Sequence, residues 1–107
     1  MTSFDDRKDS FEKKFAHDEA LRFKAEARRN KLLGRWAAGL MGLDGEKAED
    51  YAKAVIKADF EEAGDDDVFR KVKADLAAAG VEQSDHQIRR HMDEFMAEAI
   101  KQIKEQG

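Results

Sequence analysis

The 107-residue sequence predicts an all-α fold, a four-helix bundle preceded by a flexible N-terminal arm able to become helical. Three observations point there. Apolar residues recur at the three- and four-residue intervals of a helix and nowhere alternate as in a strand. Proline is absent. Gly42, Gly64 and Gly80 each stand where one apolar stripe stops and the next capping residue begins. Three stops divide the core into four helices, at about 21–41, 44–63, 66–79 and 84–105, and connections this short favour a bundle. The arm is residues 1–19 and the bundle residues 20–107.

In the first helix, Leu21, Ala25, Leu32, Leu33, Trp36 and Leu40 share one sector of the helical wheel, so that sector is expected to be buried. The sole tryptophan, Trp36, is expected to pack there. Asp44 is placed to cap the second helix, which presents Ala48, Tyr51, Ala52, Val55 and Ile56, with Phe60 near its end and Gly64 as its left-handed exit. Asp65, Asp66 and Asp67 open the third, where carboxylates meet free backbone N–H groups and the positive end of the helix dipole; Phe69, Val72, Leu76 and Ala79 follow. Ser84 and Gln87 have the spacing of a capping box, and Ile88, Met92, Phe95, Ala99 and Ile103 form the cleanest stripe in the chain.

Composition limits what such a bundle can do. Charged and apolar residues each make up 41% of the chain, which suits helices with one buried face and one solvated face. With no cysteine there is no disulfide, thiolate metal site or cysteine nucleophile, and a reducing compartment is the expectation. No apolar run is long enough to span a membrane, and the acids of Asp5 and Asp6 sit where a signal peptide needs cations. The net charge of −4 hides an asymmetry, since residues 21–35 are cationic and residues 44–67 strongly acidic. Opposite local signs can draw helices together or steer a partner.

The arm reads differently from the core. Phe4, Phe11 and Phe15 fall on one helical face with heptad-like spacing, but Asp18 and Arg22 interrupt that face, so arm and core are separate units. A lone helix of this length is marginal in water and orders fully only against something. Either it is a helix-in-groove ligand anchored by the phenylalanines, or it folds back on its own bundle.

Lys24, Arg28, Lys31 and Arg35 recur at intervals of four, three and four, forming one cationic row away from the apolar face. Such a row can hold an acidic protein or a nucleotide's phosphates, and it can equally be a solvated face. The acidic total and the lack of aromatic interleaving argue against nucleic acid. His86 and His91 are five apart, off the shared face that paired metal ligands need. The Asp65–Asp67 run lacks the alternating ligands of a calcium loop, and Gly39, Gly42 and Gly45 lack the strand and the Ser or Thr of a phosphate-binding loop. No nucleophile arrangement is present, so the expectation is a binding protein and not an enzyme.

The run Phe11-x-x-x-Phe15-Ala16-His17-Asp18, followed by Phe23-Lys24-x-x-Ala27-Arg28-Arg29-Asn30-Lys31-Leu32-Leu33-Gly34-x-Trp36-Ala37-Ala38, resembles the zeta-subunit inhibitor family of alphaproteobacterial F-type ATP synthases. Ala58-Asp59-Phe60-Glu61-Glu62 and Ile88-Arg89-Arg90 are similar to it too. The resemblance implies a bundle whose N-terminal arm enters F1, becomes helical at an interface of alpha and beta subunits beside gamma, and blocks rotation in the hydrolysis direction. Carried onto this chain, the inhibitory contacts come from Phe4, Asp5, Arg7, Lys8, Phe11, Lys14 and Phe15. It further implies no required cofactor, ADP or ATP as a regulatory ligand with Lys24, Arg28, Lys31 and Arg35 as phosphate candidates, a monomer when free, and a cytoplasmic place at the membrane through F1 only. The competing expectations are an adenine-nucleotide-sensing bundle and an adaptor with weak or no inhibition.

Overall fold

Asp18 decides where the first helix begins. Its backbone is extended, at φ −102° and ψ 104°, and its carboxylate accepts a hydrogen bond from the Leu21 N–H at 3.2 Å, satisfying one of the donors that a helix start leaves over. The computed structural model describes residues 18–59 and 65–106. Those residues form four helices and no strand: α1 Glu19–Leu40, α2 Gly45–Ala58, α3 Asp66–Ala78 and α4 Asp85–Gln106. The first therefore starts two residues before its predicted position. The continuation of the second to residue 63, with Phe60 and the exit at Gly64, lies outside the described residues.

Two of the predicted glycine exits are present. Gly42 has φ +79°, and beyond it the Leu43 N–H bonds the Ala38 carbonyl at 2.8 Å. Gly80 has φ +76°, and the Val81 N–H bonds the Leu76 carbonyl at 2.9 Å. Each is the closing bond of a Schellman motif, which needs a left-handed residue that only glycine adopts without a Cβ penalty. The capping box of α4 is also present, with the Gln87 N–H donating to Ser84 Oγ at 3.1 Å and the Ser84 N–H donating to Gln87 Oε1 at 2.9 Å.

Two predicted caps are not made. Asp44 occupies the N-cap of α2 but its carboxylate takes no capping hydrogen bond, because Gly45, at φ +55°, turns the chain between it and the first-turn amides. Asp65 at the start of α3 makes none either. Of the three aspartates only Asp67 accepts a backbone N–H, that of Val68 at 2.8 Å. Asp65 and Asp66 pair instead with arginines of other helices, as described below.

α1 is the hub. It packs most extensively on α2 and α4, while α3 sits against all three with fewer contacts. The core joins Leu33 and Ala37 of α1, Val55 of α2, Val68, Val72 and Leu76 of α3, and Ile88 and Met92 of α4; Trp36, Tyr51, Phe69 and Phe95 are half-buried around it. Each of the larger side chains contributes about 1.5–3 kcal/mol by leaving water. A second, smaller cluster toward the start of α1 packs Ala25 on Ile103 with Leu21, Met96 and Ile100 around them.

The α4 stripe is buried as predicted, apart from the half-buried Phe95. The α1 stripe is not. Ala25 and Leu33 are buried, Leu21, Leu32 and Trp36 are half-buried, and Leu40 is 39% exposed. The face that α1 buries runs through Ala25, Arg29, Asn30, Leu33, Gly34, Ala37 and Ala38. A helix wedged between two neighbours buries more than one sector, and here small residues let the neighbours approach. Ala79 of the predicted α3 stripe is exposed, and Val68 is buried in its place.

Candidate functional site

The chain has two sets of predicted site residues, and the described residues contain one of them. Phe4, Asp5, Arg7, Lys8, Phe11, Lys14 and Phe15 lie outside the described residues. What is described is the start of the bundle: the extended backbone and capping carboxylate of Asp18 give α1 its own capped N-terminus.

Lys24, Arg28, Lys31 and Arg35 do form a row along α1, with Lys24 and Arg35 exposed and Arg28 and Lys31 half-buried. They do not converge on a point. Arg28 reaches one flank, where its Nη1 donates to Gln102 Oε1 of α4 at 2.8 Å. Arg35 reaches the other, where its Nε donates to Glu49 Oε1 of α2 at 2.8 Å. That hydrogen bond holds the Arg35 guanidinium more firmly charged and the Glu49 carboxyl below the ordinary carboxylate range. Half of the row thus ties α1 to its two main neighbours.

The arginine between them behaves otherwise. Arg29 is 4% exposed and Asn30 fully buried, and the Arg29 Nε donates to Asn30 Oδ1 at 3.0 Å. The same guanidinium lies 3.5 Å from Asp65 and 3.9 Å from Asp59. Asp65 also meets Arg89 of α4 at 3.3 Å, and Arg89 reaches Asp66 at 2.7 Å while its guanidinium covers the Phe69 ring at 4.1 Å. One buried arginine and one surface arginine thus hold the end of α2 and the start of α3 against α1 and α4. Burial pushes the Asp59 carboxyl above its ordinary value, with the charges of Asp67 and Asp65 adding to the effect and Asn30 and Arg29 opposing it. Sequence periodicity missed this node, because an Arg-Asn pair counts as solvated on any helical wheel.

On the α1–α4 seam, Trp36 packs on His91 with ring centroids 4.2 Å apart, and Phe95 lies behind at 5.9 Å from His91. His91 Nδ1 is 3.7 Å from Glu94. This is where Trp36 makes its packing role, at the edge of the core. Tyr51 donates to Asp75 at 2.8 Å, and Lys71 bonds the same carboxylate at 3.0 Å, tying α2 to α3; burial first and Asp75 second push the phenol well above its ordinary value. Among the described residues no group of His, Asp or Glu is arranged to hold a metal ion, and no helix is long and apolar enough to cross a membrane.

A solved structure described as a solution NMR structure of the protein is similar to this chain at 45% identity. The match covers 81% of this chain and 99% of that one, with a TM-score of 0.72. No curated relative matches. A family model described as ATPase inhibitor subunit zeta matches residues 1–102, a span that takes in the arm as well as nearly all of the bundle. With that match running over nearly the whole chain, the chain belongs to the ATPase inhibitor subunit zeta family.

Proposed function

We propose that this chain is a regulatory inhibitor of F1Fo-ATPase, in which residues 1–17 insert at a catalytic alpha/beta interface of F1 beside gamma and block rotation in the hydrolysis direction. Family membership that includes the arm carries this reading. The Asp18 cap supports it, because a helix with its own N-terminus leaves the arm able to adopt a separate structure without unwinding α1. In that role Phe4, Phe11 and Phe15 supply apolar anchors, and Asp5, Arg7, Lys8 and Lys14 supply polar contacts around them. The bundle docks outside, and the protein reaches the membrane only through F1.

The test is ATP hydrolysis by a cognate F1 particle, with the full chain added and with a chain that begins at Asp18. Cutting there keeps the cap of α1, so loss of inhibition reports the arm and not a frayed helix. Inhibition by the full chain alone supports the reading; no inhibition by the full chain removes it.

A second reading, an adenine nucleotide bound as a regulatory ligand, is favoured only by the part of the cationic row that is not tied to a neighbouring helix side chain, Lys24 and Lys31. Titrating ADP and ATP into the chain that begins at Asp18 checks it, and Lys24→Gln with Lys31→Gln should weaken any binding seen.

A further inference from the structure

α1 runs past the end of α2. The two helices lie antiparallel, with Arg35 paired to Glu49, Gly34 against Ala52, and Ala27 and Asn30 level with Ile56 and Asp59 at the end of α2. Residues 19–26 of α1 therefore form about two turns that extend beyond the last turn of α2. α4 still backs them on the other side, through Ala25 on Ile103 and Arg28 on Gln102.

On the open side of this ledge stands Phe23. It is 53% exposed, beside a shallow cleft that Glu26, Ala27 and Ile56 also line. Its neighbours on the same helix face, three and four residues away, are Glu19, Ala20, Glu26 and Ala27, and Asp59 lies below them at the end of α2. Arg22 and Lys24 are each about 100° away around the helix. The ledge therefore presents an aromatic ring among small residues, with an acidic border.

The chain itself says what stands opposite. Phe23 lies five residues after Asp18, about 7.5 Å along the helix axis, and residue 17 is the last of the arm. If the arm inserts into F1, the reading on which this inference rests, the wall of F1 around the entry faces the first turns of α1. A second copy of the chain fits the ledge poorly, because a two-fold contact sets Glu19, Glu26 and Asp59 against the same acids. The same border opposes anionic lipid and nucleic acid.

We infer that Phe23 is the bundle's own anchor on F1, its ring seated in an apolar recess edged by basic side chains on the rim of the alpha/beta interface that the arm enters. The arm blocks rotation, and the ledge holds the bundle at the entry. Two linked contacts hold longer than either alone, so the arm is slower to withdraw.

ATP hydrolysis by a cognate F1 particle, titrated with the full-length chain and its variants, tests this. Phe23→Ala should raise the concentration needed for half-inhibition by about tenfold, while its amide NMR spectrum stays that of the folded bundle. Phe23→Leu, which keeps an apolar side chain, should recover most of the loss. Glu26→Lys reverses the border beside an intact ring and should also weaken inhibition; it carries the test if Phe23→Ala does not fold. Leu40→Ala truncates the exposed apolar residue at the far end of α1, about 25 Å away, and should leave inhibition unchanged. A native chain that does not inhibit removes the arm reading and this inference with it. Native inhibition matched by Phe23→Ala or by Glu26→Lys overturns the inference alone, and so does an equal loss in Leu40→Ala. A native chain that sediments as a dimer, with Phe23→Ala a monomer, overturns it in favour of a second copy.

Discussion

Gly34 of α1 lies so close to Ala52 of α2 that a Cβ built on it would stand 2.7 Å from the Ala52 Cα and 3.2 Å from its Cβ. The two backbones meet here with almost no side chain between them. Because the nearest atom is backbone, it cannot swing aside as the end of a long side chain could. Elsewhere in α1, at Gly39, an added Cβ meets nothing within 4 Å.

These two glycines therefore predict opposite signs for the same substitution. At Gly39, alanine should stabilise by about 0.5–1 kcal/mol, through helix propensity and a less free unfolded chain. At Gly34 the same propensity gain is outweighed by overpacking, which costs about 1–3 kcal/mol where the neighbour cannot give. Urea unfolding of Gly34→Ala and Gly39→Ala should shift the midpoint down and up respectively. Two shifts in the same upward direction would mean that α1 and α2 are not in contact at Gly34.

A second contrast lies in the caps. Ser84→Ala removes one half of a reciprocal pair and leaves the Gln87 N–H without its acceptor, a loss of about 1 kcal/mol. Asp44→Ala removes a carboxylate that makes no capping bond, and should leave the unfolding midpoint nearly unchanged. If the two substitutions cost the same, the difference in their capping geometry is not expressed in solution.

The capping box and the Gly42 and Gly80 exits could be read from the sequence because they are local, each decided within about six residues. The α4 stripe was legible for a related reason: its buried residues lie on one sector. α1 was not, since a hub helix hides two flanks and does so with Gly34, Ala37 and Ala38, whose small side chains signal little on a wheel. The Arg29–Asp59–Asp65 node was illegible for a third reason. Its partners come from distant parts of the chain, so Asp65 looked like a helix cap when its carboxylate was committed to Arg29 and Arg89. The cationic row was found, but not that Arg28 and Arg35 are spent on opposite neighbours.

Asp59 gives a pH dependence of definite sign. Burial, followed by the charges of Asp67 and Asp65, holds its carboxyl above the ordinary aspartate value, with Asn30 and Arg29 only partly offsetting them. A group whose folded value is raised binds its proton more tightly in the folded state. Its favourable contribution is then fully present below the unfolded value, about 3.9, and is lost as pH rises through the folded value. Asp59→Asn removes that titration while Asp65 remains as a partner for Arg29 at 3.5 Å. The difference in urea midpoint between native protein and Asp59→Asn should therefore move in favour of the variant as pH is raised from 3.5 to 7. A difference that moves toward the native protein would mean the Arg29 ion pair outweighs burial.

The last prediction concerns the arm. If Phe11 and Phe15 are anchors buried on insertion into F1, each contributes on the order of 1.5–3 kcal/mol of binding through the area it removes from water. Replacing both by alanine should raise the concentration needed for half-inhibition of F1 hydrolysis by at least about tenfold, since 1.4 kcal/mol is a factor of ten. The unfolding midpoint of the bundle should not follow, because α1 begins at its own Asp18 cap and, among the described residues, its core partners come from helices further along the chain. Neutralising Arg7, Lys8 and Lys14 should act differently, slowing association in a way that added salt mimics, because exposed charges steer more than they hold. The two experiments separate anchoring from steering. Undiminished inhibition by Phe11→Ala with Phe15→Ala removes the apolar face of the arm from the mechanism and leaves its charges to carry whatever contact with F1 remains.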